Sequence, residues 1–216
     1  MLASKGKVNI LTNFLARGEF MSLFNKLAMF SVLSALLLVP AKGFAGEPTA
    51  QLSTTINEFV TILVNTPVAE LRAKGLPARA LDLIFGRFDF SEMTKRSLGR
   101  HWAGLASAEQ REFVKAFTQK LLVAYGRTVR ASGGERIQFL SEVIDGSEAK
   151  VRTRVVSAAD ELPIDYHVHA VDGQWKVYDM VIDNVSIVDN YRAQFDRVIA
   201  RSSVKDLLQK MKQQDS

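Results

Sequence analysis

The sequence predicts an α+β fold, with helices first, about four strands next and helices last, and three observations carry that expectation. Apolar residues recur every three or four positions from Leu52 to Val129, alternate with polar ones from Ile137 to Ile182, and return to helical spacing from Asp189 to Lys212. The joints between the alternating runs are short and contain Asp145-Gly146 and Asp172-Gly173, so an antiparallel meander is favoured over parallel crossovers. No internal repeat or low-complexity tract interrupts the order.

Leu52, Ile56, Phe59 and Leu63 place one apolar stripe on a first helix, which Pro67 ends. A short segment over Glu70 to Lys74 and a helix from Ala78 to Phe85 follow, punctuated by Gly75 and Pro77. Asp89 or Ser91 can cap the next short helix, which carries Met93 and Leu98 inward and closes at Gly99. Ser107-Ala108-Glu109-Gln110 has the form of a capping box and opens the longest periodic segment: Phe113, Phe117, Leu121, Tyr125 and Val129 recur every four residues. Strands are then expected over Ile137 to Ile144, Ala149 to Val156, Ile164 to Val171 and Trp175 to Ile182. Val151, Thr153 and Val155 alternate with Lys150, Arg152 and Arg154, and Ile164, Tyr166 and Val168 with Asp165, His167 and His169, so one face of the sheet reads as apolar and the other as wet. Tyr191, Phe195 and Val198 mark a helix over Asp189 to Arg201, and Leu207, Leu208 and Met211 a last one over Val204 to Lys212.

The chain has 216 residues, 47% hydrophobic and 24% charged, an ordinary globular composition that argues against disorder. With no cysteine there is no disulfide, thiolate metal site or cysteine nucleophile. The net charge of +5 is uneven: Lys5, Lys7, Arg17, Lys26 and Lys42 against Glu19 place +4 in residues 1–45 and leave +1 on the rest. A body this close to neutral offers no field for phosphate backbones, so nucleic acid is not an expected partner.

Residues 1–45 read as an address. Lys26 precedes an apolar run of 13 residues, Leu27 to Val39, and Gly43 and Ala45 supply the small residues of a signal-peptidase exit. The run is shorter than the ~20 residues a membrane span needs, so cleavage after Ala45 is expected, giving a single domain over 46–216 that works in the periplasm. A leader starting at Met21 has the more usual length.

Enzyme signatures are missing: there is no G-x-S-x-G, P-loop, G-x-G-x-x-G or H-E-x-x-H. His167 and His169 share a strand face without a carboxylate at fixed spacing to complete a metal site, so a solvated-face role and no metal are expected. His101, beside Trp102, reads as a packing or surface residue. Asp179 and Asp183 flank the end of a strand and could form an acid/base pair, although satisfying turn and cap amides explains them as well. The aromatics from Phe88 to Phe195 could equally fill a core or line a cavity.

Phe88-Asp89-Phe90-Ser91-Glu92-Met93, Leu98-Gly99-Arg100-His101-Trp102, the helix from Phe113 to Tyr125, and the run from Trp175 to Phe195 (WKVYDMVIDNVSIVDNYRAQF) resemble, in order, the successive signatures of the MlaC family, also called the toluene-tolerance auxiliary family. Asn184 stands where many members have Gly. A hopanoid-associated branch shares the early motifs, whereas the Tyr191 to Phe195 ending favours the carrier branch. The resemblance implies a curved antiparallel sheet covered by helices, the nuclear-transport-factor-like arrangement, with a deep apolar pocket for lipid tails. It implies a monomeric periplasmic phospholipid carrier, not an enzyme and without cofactor beyond its lipid cargo, moving lipid between the outer and inner membranes to maintain outer-membrane asymmetry. The implied partners are an inner-membrane MCE-domain protein of an ABC transporter and an outer-membrane lipoprotein-porin complex.

Motif position and apolar phase together nominate Phe90, Met93, Leu98, Trp102, Phe117, Leu121, Tyr125, Val151, Tyr166, Trp175, Val177 and Val185 as lipid-contacting walls. Two other readings stand beside the carrier. An enzyme on the same scaffold would use Asp179, Asp183 or His167, and an adaptor with a solid core would purify without lipid.

Overall fold

The computed structural model describes residues 47–126, 136–157 and 160–213. The expected leader, the Gly46 terminus and Val129 lie outside them. Helix α1 (Glu47–Asn65) is followed by α2 (Val68–Lys74), α3 (Ala78–Arg87), α4 (Phe90–Leu98), a 3-10 turn (Gly99–His101) and α5 (Ser107–Gly126). Strands β1 (Arg136–Asp145), β2 (Glu148–Val156), β3 (Glu161–Val171), β4 (Gln174–Ile182) and β5 (Val185–Ser186) come next, then α6 (Ile187–Ile199) and α7 (Val204–Gln213). Among the described residues no helix is long and apolar enough to cross a membrane.

The strands form one antiparallel sheet in the order β1-β2-β3-β4-β5. Its turns explain the register. Asp172 and Gly173 both have positive φ (50° and 75°), as do Asp183 and Asn184 (48° and 63°), which is what a two-residue type I′ hairpin requires. Asn tolerates this left-handed region better than most other residues with a side chain, so Asn184 makes the turn without a glycine. The second of these turns adds β5, a strand of two residues that is too short to leave an alternating pattern in the sequence.

Local caps decide one alternative that the sequence leaves open and differ from its expectation in two places. At α4 the cap is Asp89, whose Oδ1 accepts the Glu92 N–H at 2.9 Å. The box before α5 is only half made: Glu109 accepts the Ala106 N–H at 2.9 Å, and the helix begins one residue too early for the Ser107 hydroxyl to be its cap. Helix α6 starts two residues before Asp189, because Ser186 accepts the Asp189 N–H at 3.0 Å and caps it.

Buried side chains gather in two clusters. One joins α4 to α7 through Met93, Leu98, Phe113, Phe117, Tyr191, Phe195 and their neighbours. The other joins α1 to one sheet face through Leu52, Ala149, Val151, Tyr166, Val168, Trp175 and Val177. Phe117 is sealed at 0% exposure, with Tyr191 and Phe195 edge-on at centroid distances of 4.9 and 5.3 Å. The helices meet the sheet at the outer edge of β4, where Phe88 bridges to Val177 and the Asp89 N–H donates to the Val177 carbonyl at 2.8 Å.

Candidate functional site

Among the described residues only Phe88 and Met180 pack, partly buried, against both clusters. They mark the seam along which the two apolar clusters adjoin. The stripe on α1 shows the same thing along one helix: Leu52 and Leu63 are 1% and 2% exposed, whereas Ile56 and Phe59 between them keep accessible surface. Both ends of this stripe are sealed and its middle is only partly covered. Ile164 and Phe139 on the sheet, and Tyr125, Met180 and Ile182 on the helical side, are likewise apolar, partly buried and packed against one cluster or the other.

The nominated wall residues divide between the clusters. Met93, Leu98, Phe117 and Leu121 belong to the helical one, with Phe90, Trp102 and Tyr125 partly buried against it. Val151, Tyr166, Trp175 and Val177 belong to the sheet cluster. Val185, in the short β5, is 47% exposed and joins neither. Val151, Phe117 and Val177 have no accessible surface. A side chain sealed on all sides by protein touches no ligand in this conformation. The half-buried apolar neighbours Ile56, Phe59, Ile164 and Met180 are not among the residues nominated from the sequence. Only their incomplete burial sets them apart, and that is a tertiary property. A separate surface cleft of about 300 Å³ is lined by Ser91, Trp102, Ser107, Gln110, Arg111 and Val114. Its polar rim and size, at the low end for drug-sized ligands, do not suit acyl chains.

The sheet face opposite α1 is not the open wet face that alternation suggests. Residues of α4 and of the turn before it reach over the β4 edge onto it. Arg96 stacks 3.8 Å from the Tyr178 ring centroid and pairs with Glu92 and Glu148, while Tyr178 donates to Glu148 at 2.9 Å. Burial and the Glu148 carboxylate push the Tyr178 hydroxyl up to about 12. His169 meets Asp89 at 3.1 Å, and His167 lies 3.8 Å from Asp179, so both histidines are half-buried members of charge networks rather than solvated residues. His101 is paired with Asp196 at 2.9 Å. Among the described residues no group of three or more His, Asp or Glu side chains is arranged to hold a metal ion.

Burial holds the His167 imidazolium pKa below its usual value, with Lys150 acting in the same sense and Asp179, Asp165 and Glu148 opposing. The unfolded chain then binds a proton at a higher pH than the folded one. Its contribution to stability is present above the ordinary histidine pKa of 6.5 and is lost as pH falls below it. His167→Gln is therefore expected to flatten the fall in urea midpoint between about pH 7 and 5, and an unchanged slope would place the acid sensitivity elsewhere.

Asp179 is 5% exposed and fully engaged: its Oδ1 accepts the Val188 N–H at 3.0 Å and its Oδ2 the Ser186 hydroxyl at 2.6 Å. Asp183 is exposed in the β4-β5 turn, with its N–H donated to the Pro163 carbonyl at 3.1 Å. One aspartate satisfies a helix start and the other sits in a hairpin turn.

Comparison with known proteins places this architecture. A solved structure of a phospholipid-binding protein from Ralstonia solanacearum, in complex with a phospholipid, superposes with a TM-score of 0.70 over 79% of this chain and 97% of that one, at 22% identity, and so shares its fold. The curated Haemophilus influenzae protein named intermembrane phospholipid transport system binding protein MlaC is 29% identical over 117 residues, 51% of this chain. That match spans about half of the relative's own length, 55%. The family model described as MlaC protein matches residues 53–213, from just after Leu52 in α1 to the end of α7, taking in both clusters except Leu52 and the seam between them. On that match, which extends over well more than half of its length, the chain belongs to the MlaC family.

Proposed function

We propose that this protein is a periplasmic phospholipid carrier whose cargo lies with its acyl chains in the seam between the helical and sheet clusters. The observation that carries the reading is the family match over 53–213, because the matched span includes the whole seam. The named roles of the relatives, intermembrane phospholipid transport in one and phospholipid binding in the other, support it. The partly covered apolar middle of the α1 stripe supports it as well. Phe90, Trp102 and Tyr125 would touch the tails together with Ile56, Phe59, Ile164 and Met180. Met93, Leu98, Phe117, Leu121, Val151, Tyr166, Trp175 and Val177 would hold those walls from behind, and Val185 would lie toward the rim.

The energetics suit a carrier. Each methylene hidden from water is worth ~0.8 kcal/mol, so two tails of about sixteen carbons gain of order 20 kcal/mol before costs. Release into water is then negligible, and cargo must pass on by contact. In the full reading an exported, leader-cleaved chain exchanges lipid with an outer-membrane lipoprotein-porin complex and with the MCE-domain protein of an inner-membrane ABC transporter, and so maintains outer-membrane asymmetry. It catalyses no bond change.

The test is to purify the protein without detergent, extract it with organic solvent and analyse the extract by mass spectrometry. Phospholipid at close to one molecule per chain is the expected result. A folded protein that yields no lipid and cannot be loaded from vesicles would have a solid core and would overturn the reading.

A further inference from the structure

We propose that Phe85, Phe90 and Phe88 form the portal through which an acyl chain enters the seam, with Phe85 as the ring that moves. The proposal rests on the carrier reading and adds the place of entry. Phe85 is 51% exposed and is the only aromatic among the exposed large apolar side chains of the described residues. Its ring lies 5.7 Å from that of Phe90, which stacks on Phe88 at 6.0 Å. Phe88 in turn packs against both clusters. Three neighbouring rings thus run from the surface to one of the two described residues that pack against both clusters.

The inner part of this row is fixed. Between Phe88 and Phe90, Asp89 donates its N–H to Val177, caps α4 through Oδ1 and meets His169 through Oδ2. On the other side of Phe88, the Arg87 guanidinium donates to Thr55 at 3.0 Å and to Gln51 and the Trp175 carbonyl, fastening the end of α3 to α1 and β4. Phe85 stands outside both fastenings. It is followed by Gly86, around whose Cβ direction nothing lies within 4 Å. Turning the Phe85 ring away forfeits the contact with Phe90 and leaves both buried clusters intact. An acyl chain lying against it would cover apolar surface now left in water, which is a gain for a hydrocarbon and not for a headgroup.

The chain contains no cysteine, so Phe85→Cys gives a single thiol. Val143→Cys, at a residue 61% exposed on edge strand β1, is the control. Both are made in the full chain, stripped of lipid with mild detergent, and reloaded from vesicles of phosphatidylethanolamine and phosphatidylglycerol. Maleimide labelling is timed before and after loading, and mass spectrometry of the same samples counts bound lipid. Loading is expected to slow labelling at Phe85→Cys by about tenfold, as for a group that loses about nine-tenths of its surface to a ligand, and to leave Val143→Cys unchanged. Lipid bound at both variants with unchanged labelling at position 85 would overturn the portal while leaving the carrier reading intact. Absence of bound lipid in either variant and in the parent would overturn both. A second variant reads the motion: Phe85→Ala, which empties no core, is expected to speed lipid transfer to acceptor vesicles relative to Val143→Ala, and equal rates would show that the ring guards nothing.

Discussion

Phe117→Ala is expected to destabilise the protein by about 3–5 kcal/mol, the usual cost of emptying a sealed phenylalanine site. The ring is 0% exposed and clasped edge-on by Tyr191 and Phe195, so its loss removes two aromatic contacts as well as buried area. Because α5 supplies Phe117 and α6 supplies both partners, the cavity would open between two helices that otherwise hold α4 and α7 in place. A urea or guanidinium melt measures the loss, which corresponds to a fall in Tm of roughly 10 °C for a domain of this size. The size of the effect also decides what Phe117 does. If it borders the lipid space, the truncation only enlarges an existing cavity, and a cost below about 1.5 kcal/mol is the result to expect. A full cost, with lipid still bound by the surviving folded fraction, makes it part of the scaffold behind the wall.

The contrast between Phe117 and Phe85 shows what the sequence can convey. Both are phenylalanines on helices, and residue type alone does not tell them apart. The stripe of Phe113, Phe117 and Leu121 on α5 was legible because a helix buried along its length imposes a repeat on its own residues, and these three are 1%, 0% and 5% exposed. The hairpins were legible because Asp172-Gly173 is a local conformational requirement written into adjacent residues. Cavity walls impose no such pattern. Val151 and Ile164 share a sheet face, yet one has no accessible surface and the other keeps some, and the difference depends on what stands opposite. The histidine face was misread for the same reason. Lys150, Arg152, His167 and His169 alternate as a wet face should, and nothing near them in the chain announces that Asp89 and Arg96, more than 50 residues away, come back over the β4 edge to cover part of it.

Asp179→Ala is expected to cost about 2–4 kcal/mol, and Asp179→Asn roughly half of that, because the two changes remove different parts of one device. The carboxylate stands on β4 and receives the Val188 N–H and the Ser186 hydroxyl at the start of α6. It therefore satisfies an orphan donor of the first turn and places negative charge where the helix dipole favours it. Alanine leaves the N–H of Val188, a residue 3% exposed, without an acceptor and deprives Ser186, itself the α6 cap, of its partner. Asparagine keeps an acceptor for Val188 but loses the charge and replaces the oxygen that accepts the Ser186 hydroxyl by an NH2 group. An acid/base role predicts the opposite pattern, in which the isosteric asparagine leaves stability nearly intact and abolishes function. The two are separated by measuring unfolding midpoint and bound phospholipid on the same preparations. The expected outcome is a graded loss of stability, alanine beyond asparagine, with lipid content preserved in whatever fraction stays folded. A fully stable Asp179→Asn protein that no longer carries or processes lipid would make this carboxylate part of a reacting centre, and the α6 start would then need another explanation for why a buried charge is held there.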